Sequence, residues 1–420
     1  MLAPSIISDV PCDRAYLIKH LKEHALFFVA WGLWLVILVV KDTFAFPHDS
    51  QGIAEKIITH APFLPLVIYE IQKTERYGGR DALFLSVLMI FFASGFISTE
   101  MLMLKVGIFV YCARRIDYRL ILIFTLCELP ILCGIVIAGA ALGLIEMGVA
   151  GLGTSRVRYC LGFEWANRPL DYLLSITMMY LACFGKKVNP LVISCILVVA
   201  FTLFSITDAR TPFALLIVLL ASYLFISHFK FSIDKPICRL VIKILFLVLP
   251  ITMVGLCLFY SSDIDWMRML NGALSSRLEQ SQRAFLVRGI GLFGSESVQG
   301  TEDFKLYLDS AFLQLLINHG IVLFLIVLII MLHVLDRACK SNDRILVMCL
   351  LLFSIWGNIE EAFVHIQLDP FLFLIGSVVF SGFKKAKIPS FVLLSRNDLL
   401  SCDSDSNTNW LFRQRNDYQN

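Results

Sequence analysis

The stretch IVLFLIVLIIMLHVL, residues 321–335, contains no Asp, Glu, Lys or Arg. A second such stretch, FFVAWGLWLVILVV, covers residues 27–40, and similar ones recur along most of the chain. A helix needs roughly 20 predominantly apolar residues to cross the hydrocarbon of a bilayer. These stretches therefore predict an all-α, polytopic membrane protein built as a bundle of transmembrane helices.

Composition agrees with a membrane protein. Of the 420 residues, 58% are hydrophobic and 16% are charged, whereas a soluble domain is about half apolar and about a quarter charged. The twelve cysteines fall almost entirely inside apolar stretches, and only Cys160 falls in a long predicted loop. We therefore expect no disulfide framework, no metal site, no cofactor and no nucleic-acid partner.

Twelve apolar segments are predicted to span the membrane, within a domain of residues 25–383 that follows a cytoplasmic N-terminus of residues 1–24. The segments cover residues 25–40, 53–71, 82–98, 100–112, 118–138, 170–185, 189–206, 212–228, 240–260, 308–335, 344–359 and 366–382. The second contains Pro62 and Pro65 and the fourth contains Lys105, so a count of eleven stays open. A polar cytoplasmic tail, residues 384–420, follows the last segment.

The positions of Lys and Arg orient these spans. With twelve spans, the basic clusters, such as Arg114 with Arg115 and Lys384 with Lys385, all fall on the same side. Cytoplasmic loops carry an excess of basic residues, so both termini are expected in the cytoplasm. Three loops that contain arginine, about 139–169, 207–211 and 261–307, then face outward.

These three outward loops contain arginines that the excess of basic residues in cytoplasmic loops does not explain. They hold eight Arg and one Lys, whereas the cytoplasmic segments hold twelve of each. A charge effect alone would not favour Arg, but planar, bidentate recognition of phosphate or carboxylate does. The alternative, contact with lipid head groups or with acidic residues of the same loops, stays open. The nine residues are Arg156, Arg158, Arg168, Arg210, Arg268, Arg277, Arg283, Arg288 and Lys305.

Two of these loops supply candidates for substrate binding. Arg158 and Asn167 lie in TSRVRYCLGFEWANRPLDYL, residues 154–173, which leads directly into a span. Arg210 lies in TDARTP, residues 207–212, a turn so short that the side chain must lie close to the bilayer surface. A lipid-linked phosphate would lie at the same level.

The third loop contains LNGALSSRLEQSQRAFLVRGIGLFG, residues 270–294. Its apolar positions predict an amphipathic helix over 270–288 that lies on the outer interface and ends at GIGLFG. Arg277 and Arg288 are three helical turns apart and are expected to project from one face, whereas Arg283 projects from another side. Arg277 is the candidate catalytic arginine, and the other two are candidates for substrate binding.

Two later segments carry groups suited to proton transfer. Asp309 lies near the outer end of the span 308–335, and His319 lies about three turns deeper, where an ordinary bundle histidine is the alternative. In WGNIEEAFVHIQLDPF, residues 356–371, Glu361 and His365 have the i, i+4 spacing of a helical carboxylate–imidazole pair. Such a pair can serve as a general base. Glu361 is the first candidate for the base and Asp309 the second.

Other charged residues allow more than one interpretation. Asp263 and Asp265 form a DxD, a short pattern that binds a divalent ion in many glycosyltransferases. We predict instead that the activity of the protein does not depend on a metal ion. Activity retained in excess chelator would support this prediction, and full loss of activity would restore Asp263 and Asp265 as metal ligands. Glu128 and Lys105 fall inside predicted spans, where both a mutual ion pair and a substrate path are consistent with the sequence.

Taken together, these segments resemble the bacterial O-antigen and capsular polysaccharide repeat-unit polymerases of the Wzy type. The resemblance covers roughly residues 20–380 and rests on the order of spans and on RYCLGFEWAN, DART, LNGALSSRLEQ, RGIGLFG, YLDSAFLQLLINHG and WGNIEEAFVHIQLDPFL. Family-like arginine positions are Arg158, Arg210 and Arg277, and family-like polar positions are Asp309, His319 and Glu361. The chain departs from the family at 164–167, where EWAN replaces a His-Pro-Asn-like stretch.

The resemblance implies a multi-pass fold related to the lipid-dependent, GT-C-like glycosyltransferases, located in the bacterial cytoplasmic membrane. The donor would be a growing glycan on undecaprenyl diphosphate, and the acceptor a single repeat unit on the same carrier. Direct displacement of the diphosphate would invert the anomeric configuration. Further implied partners are membrane lipids and the flippase and chain-length regulator of the same pathway.

Two other functions remain open at this point. An O-antigen ligase shares the architecture and transfers the finished glycan to a different acceptor. A transporter or flippase for the lipid-linked glycan is the non-enzymatic alternative, and it should show internal repeats with broken helices that meet at mid-membrane. The sequence shows no convincing repeat between its halves, and its arginines gather on one face.

Overall fold

Helices make up most of the structure, a computed structural model that describes residues 14–46, 53–73, 77–98, 101–151, 156–185, 188–229, 231–274, 276–295 and 308–380. The described residues from 18 onward belong to one compact unit, to which the following description refers. The first thirteen residues and the predicted tail 384–420 lie outside the described residues.

The helices follow one another along the whole chain. They are α1 (Arg14–Glu23), α2 (Ala25–Lys41), α3 (Ile53–His60), α4 (Phe63–Lys73), α5 (Gly79–Ser98), α6 (Leu102–Cys112), α7 (Tyr118–Ala141), α8 (Arg168–Phe184), α9 (Pro190–Thr207), α10 (Arg210–His228), α11 (Pro236–Leu258), α12 (Asp265–Ala273), α13 (Arg277–Arg288), α14 (Ala311–Asn318), α15 (Gly320–Lys340), α16 (Arg344–Ile359) and α17 (Phe373–Phe380). A short antiparallel ribbon, β1 (Val149–Ala150) and β2 (Arg158–Tyr159), lies between α7 and α8 in the chain.

Six of the described helices, α5, α7, α9, α10, α11 and α15, are long and apolar enough to cross a bilayer. Shorter apolar helical segments cover residues 25–41, 344–359 and 370–379. A helix satisfies its backbone hydrogen bonds internally, which is what a segment in hydrocarbon requires. The prediction of an all-α, multi-pass membrane protein is therefore confirmed at this level.

Two predicted spans are interrupted in the structure. The segment 53–71 divides into α3 and α4 at Ala61 and Pro62, because a proline lacks the N–H that a continuous helix would use. The segment 308–335 divides into α14 and α15 at His319, and Gly320 has a φ of +89°. Apolar residues lie on both sides of each break, so an average hydropathy over the whole segment does not reveal it.

The amphipathic helix predicted over 270–288 is also interrupted. α12 ends at Ala273 and α13 begins at Arg277, because Ser276 adopts a left-handed conformation with a φ of +67°. A residue with a Cβ adopts this conformation rarely. The break starts a new helix at Arg277, so this side chain takes a direction that a continuous helix would not give it.

Residues 289–295, which follow α13, fill the break between α14 and α15. The N–H groups of Ile321 and Val322, in the first turn of α15, donate to the carbonyls of Gly291 (3.1 Å) and Leu292 (3.2 Å). The first N–H groups of a helix have no partner within it. The GIGLFG sequence therefore caps a helix that starts inside the protein.

Glycine is required where these two segments meet. A Cβ on Gly294, whose φ is +103°, would lie 2.0 Å from the carbonyl oxygen of Asn318. A Cβ on Gly320 would lie 2.3 Å from the nitrogen of Gly294. The contact is reinforced by Arg288, which donates from Nη1 to Oδ1 of Asn318 at 2.9 Å.

Aromatic packing fixes α2 against its neighbours. The ring of Trp31 meets Phe373 of α17 edge to face at 4.9 Å, and Trp34 stacks on Phe109 of α6 at 5.7 Å. Each such pair stabilises the fold by about 0.5–1.5 kcal/mol beyond the burial of its area. Asp42, which directly follows α2, is joined to the start of α8 by a hydrogen bond from the hydroxyl of Tyr172.

The two ends of the bundle differ in character. At one end, basic residues from segments predicted to be cytoplasmic contact other chain segments: Arg119 pairs with Asp343 at 3.0 Å, and Arg344 donates to the carbonyl of Phe229 at 2.7 Å. α7 and α16 start at this end, which we call the basic end. α16 finishes at Ile359, beside the cluster described next.

Candidate functional site

A cluster of arginines and carboxylates lies at the end of the bundle away from the basic end. Its first centre is Arg277, the first residue of α13. Arg277 Nε lies 2.8 Å from Oδ2 of Asp309, and Nη2 lies 2.9 Å from Oε1 of Glu360. Nη1 donates to the carbonyl oxygen of Ile359 at 2.5 Å. α13 is thereby joined to the end of α16 and to the chain just before α14.

The second centre of the cluster is Arg168, the first residue of α8. Its side chain is 7% exposed and forms an ion pair through Nη2 with Oε1 of Glu361. Nε lies 3.8 Å from Oδ2 of Asp42, and the hydroxyl of Tyr172 donates to the same oxygen at 2.6 Å. A buried arginine needs such anionic partners, because an unpaired charge away from water is costly.

The backbone at the end of α16 explains why two adjacent glutamates serve two different arginines. Glu360 has an extended conformation, with φ −128° and ψ +163°. Successive side chains of an extended chain point to opposite sides. Glu360 therefore reaches Arg277 while Glu361 reaches Arg168.

Asn167, which precedes Arg168 in the chain, contacts the first centre through Glu360. Its Nδ2 donates to Oε1 of Glu360 at 3.3 Å, and its Oδ1 accepts from Nη1 of Arg158 at 3.5 Å. Arg158 belongs to β2, and the loop after it lies on α7, where a Cβ on Gly162 would come within 3.2 Å of the backbone. The loop that carries RYCLGFEWAN is thus held against the bundle and completes one wall of the cluster.

Glu361 also has polar partners from the segments around it. Nε2 of His365 lies 3.4 Å from Oε1 of Glu361, and Nε2 of Gln314 donates to its Oε2 at 3.2 Å. Residues 361–364 form a 3-10 turn instead of the predicted α-helical turn, yet the pair still meets. Glu361 is therefore bonded from three directions.

The carboxylates of the cluster differ in basicity. Burial raises the pKa of Asp309 and of Glu360, and Arg277 offsets only part of this effect. Burial acts in the same direction on Glu361, but His365 and Arg168 outweigh it and hold the pKa of Glu361 well below its usual range. Asp309 is thus better suited to accept a proton than Glu361, the first candidate from the sequence.

Other residues predicted for the site lie elsewhere. Arg210 is 71% exposed and pairs with Asp208, close to it in the chain. Arg283 is 54% exposed and pairs with Glu279 of its own helix. The structure does not bring these two arginines to Arg277.

Arg288 and His319 lie at the break between α14 and α15. Arg277 and Arg288 were expected to project from one face of a single helix. Arg288 bonds Asn318, whereas Arg277 bonds the end of α16, so the two arginines contact different groups. His319 lies within 3.1 Å of the hydroxyl of Ser94 through Nδ1, and its carbonyl accepts from the same hydroxyl at 3.1 Å. His319 is thus an integrated part of the bundle.

The candidate metal ligands contact groups outside this cluster. Asp265 of the DxD pairs with Arg268 at 2.5 Å, at the start of α12. Among the described residues, the group with ligand atoms close enough for a metal ion is His20, Glu23 and His24, on the N-terminal helices. It contacts Tyr69 and Lys73 of α4 and contributes nothing to the cluster around Arg277.

Sequence reasoning missed four members of the cluster: Asp42, Arg168, Gln314 and Glu360. Arg168 stood among the outward arginines but had no feature to distinguish it from the others. Its ion pair with Glu361 joins positions 193 residues apart. Pairs at such separation become visible only when the helices are packed.

No family model, no curated protein and no solved structure matches this chain.

Proposed function

We propose that the protein is a membrane glycosyltransferase that polymerises oligosaccharide repeat units carried on undecaprenyl diphosphate, the activity that the family resemblance implies. The observation that carries the proposal is the position of Arg277, Asp309 and Glu360 together at one end of an apolar bundle. A diphosphate leaving group needs positive, preorganised donors, which arginine supplies without a metal. An acceptor hydroxyl needs a base, which a carboxylate of raised pKa supplies.

The proposed reaction exchanges one bond for another. The acceptor hydroxyl oxygen attacks the anomeric carbon of the donor glycan, and its proton passes to a carboxylate of the cluster. The bond between that carbon and the diphosphate oxygen breaks, and the electron pair stays with the lipid diphosphate. Arg277 and its neighbours stabilise the departing charge, and attack from the opposite face inverts the anomeric configuration.

The proposed topology has twelve spans with both termini in the cytoplasm of a bacterium. The cluster then faces outward, where a flipped lipid-linked glycan would be available. The gathering of Arg119, Arg344 and their partners at the other end supports this orientation, because cytoplasmic faces are rich in basic residues.

One observation favours the transporter alternative. Broken helices near a binding site are typical of transporters, and α14 and α15 form such a break. The charged cluster, however, lies at the end of α16 and the start of α8. A polymerase is therefore the better interpretation, with a ligase as the enzymatic alternative.

Deleting the gene from its host separates these functions. Loss of a polymerase leaves single repeat units at the cell surface, whereas loss of a ligase leaves polymer stranded on the carrier lipid. Loss of a transporter leaves the lipid-linked units on the cytoplasmic side of the membrane. Single surface repeats are the expected result, and either of the other two outcomes contradicts the proposal.

Arg277 variants test the site itself. Arg277→Ala is expected to abolish long surface glycan, and Arg277→Lys to restore little of it, because an ammonium cannot reproduce the guanidinium fork. Full-length glycan with Arg277→Lys would show that charge alone suffices. Wild-type glycan with both variants would place the site elsewhere.

A further inference from the structure

Arg277 already binds acidic side chains where the proposed diphosphate must bind. Each nitrogen of its guanidinium donates to a protein group: Nε to Asp309, Nη2 to Glu360 and Nη1 to the carbonyl of Ile359. Two carboxylates on one arginine leave a net negative charge at this position. A diphosphate is repelled unless one carboxylate moves away or gains a proton.

Asp309 is the partner that can leave at the lower cost. Its side chain is 35% exposed, whereas that of Glu360 is 12% exposed. Glu360 also accepts a hydrogen bond from Asn167. Among the described residues, Arg277 is the group that bonds the Asp309 carboxylate.

The chain around Asp309 is fixed, so its side chain can turn without moving the backbone. The carbonyl of Leu308 accepts from Gln314 at 2.6 Å. Ser310 caps α14 by accepting from the N–H of Leu313, and its hydroxyl donates to the carbonyl of Gly357. A rotation of one side chain therefore suffices to free it from Arg277.

We propose, on the basis of the proposed function, that the lipid diphosphate replaces Asp309 on Arg277 and that the released Asp309 is the base of the transfer. The acceptor hydroxyl then gives its proton to Asp309 as its oxygen bonds to the anomeric carbon. The bond to the diphosphate breaks, and the diphosphate keeps the electron pair in the field of Arg277. Without a bound donor, Asp309 stays in its ion pair with Arg277.

This exchange explains why base and arginine lie in contact before any substrate is present. An ion pair with Arg277 lowers the proton affinity of Asp309, and loss of the pair raises its pKa. Binding of the donor therefore raises the pKa of Asp309, so the base is strongest when the donor is in place to react with an acceptor.

The test measures diphosphate binding and polymerisation separately on the full-length protein in detergent or nanodiscs. Binding of geranylgeranyl diphosphate and of inorganic pyrophosphate is followed by calorimetry for the wild type, Asp309→Asn and the matched control Glu279→Gln. Glu279 is a carboxylate of the same helix as Arg277, and it pairs with Arg283. Asp309→Ala serves as a second removal variant, and thermal unfolding shows which variants are folded.

Asp309→Asn is expected to bind both diphosphates about threefold or more tighter than the wild type, because a competing carboxylate is gone. The same variant is expected to make no polymer, and Glu279→Gln to bind within about twofold of the wild type. Tighter binding of geranylgeranyl diphosphate than of pyrophosphate would identify the lipid-linked form as the preferred ligand.

The possible failures are distinguishable. Unchanged or weaker binding by both Asp309 variants would overturn the exchange while leaving the proposed function intact. Normal polymer from either variant would remove Asp309 as the base. Absence of diphosphate binding by the wild type would overturn the exchange and the proposed function together.

Discussion

At the scale of single residues, the cluster is defined by which carboxylate meets which arginine. The sequence pointed to Arg277, Asp309, Asn167, Glu361 and His365 as polar residues that an apolar chain has no general reason to keep, and the structure brings them together. It could not show that Arg277 contacts Asp309 and Glu360, or that Glu361 serves a different arginine. Those pairings depend on the order in which helices pack, and hydropathy and charge counts contain no information about it.

Arg168 is expected to be required for stability. Arg168→Gln should destabilise the protein by about 3 kcal/mol, because the partly buried carboxylates of Asp42 and Glu361 would lose the counter-charge of a buried arginine. Thermal unfolding of the purified variant measures the effect. The exposed pair of Arg268 with Asp265 provides the control, and Arg268→Gln should change stability by about 0.5 kcal/mol or less. Equal effects from the two variants would contradict the structural role of Arg168.

The pH dependence of polymerisation should identify the base. A base must be deprotonated, so the rate falls as pH decreases through its pKa. The pKa of Asp309 is raised by burial, and that of Glu361 is lowered by His365 and Arg168 despite burial. We expect the acidic limb of kcat to lie above the ordinary range of about 3.9 for Asp. A limb below the ordinary value of Glu, about 4.3, would favour Glu361 instead.

At the scale of elements, the helices were predicted well, and of their interruptions only the one at Pro62 was indicated by the sequence. Apolar composition marked most of the helices because it persists over their whole length. The breaks at Ser276 and His319 depend on backbone conformations of one or two residues inside otherwise regular patterns. The GIGLFG sequence was recognised as the end of a helix. Its role as a cap between α14 and α15 required the structure, since it contacts residues 30 positions later.

Gly294 is expected to be irreplaceable at this contact. Gly294→Ala should strongly reduce the yield of folded protein, because its Cβ would overlap the backbone of Asn318 in a left-handed conformation. Fluorescence-detected size-exclusion chromatography measures the folded fraction. Gly255→Ala, in α11 with open space around it, is the matched control and should fold as the wild type does. Normal folding of Gly294→Ala would show that the contact with α14 is dispensable.

At the scale of the whole molecule, the two ends of the bundle carry different chemistry. The charge distribution in the sequence predicted this separation, and contacts such as Arg119 with Asp343 and Arg277 with Glu360 place the two sets at different ends of α16. Hydropathy windows gave twelve segments, of which six form long described helices and the rest are shorter or interrupted. Span count and orientation relative to the membrane therefore stay predictions.

Labelling of introduced cysteines tests the orientation. Arg283→Cys, on the same helix as Arg277, is expected to react with a membrane-impermeant maleimide in intact cells. Lys340→Cys, at the basic end, should react only after lysis. Both positions are about half exposed, so access to solvent is matched. The parent chain, with its twelve native cysteines, gives the background. The opposite labelling pattern would reverse the proposed topology.

The central claim, that this cluster joins lipid-linked repeat units, is tested most directly by reconstitution. Purified protein in liposomes is given a synthetic undecaprenyl-diphosphate-linked repeat unit, and the products are separated by gel electrophoresis. The account predicts a ladder of glycan lengths and release of one lipid diphosphate for each bond formed, both absent with Arg277→Ala. Folded wild-type protein that yields neither ladder nor free lipid diphosphate, or an Arg277→Ala variant that yields both, would contradict it.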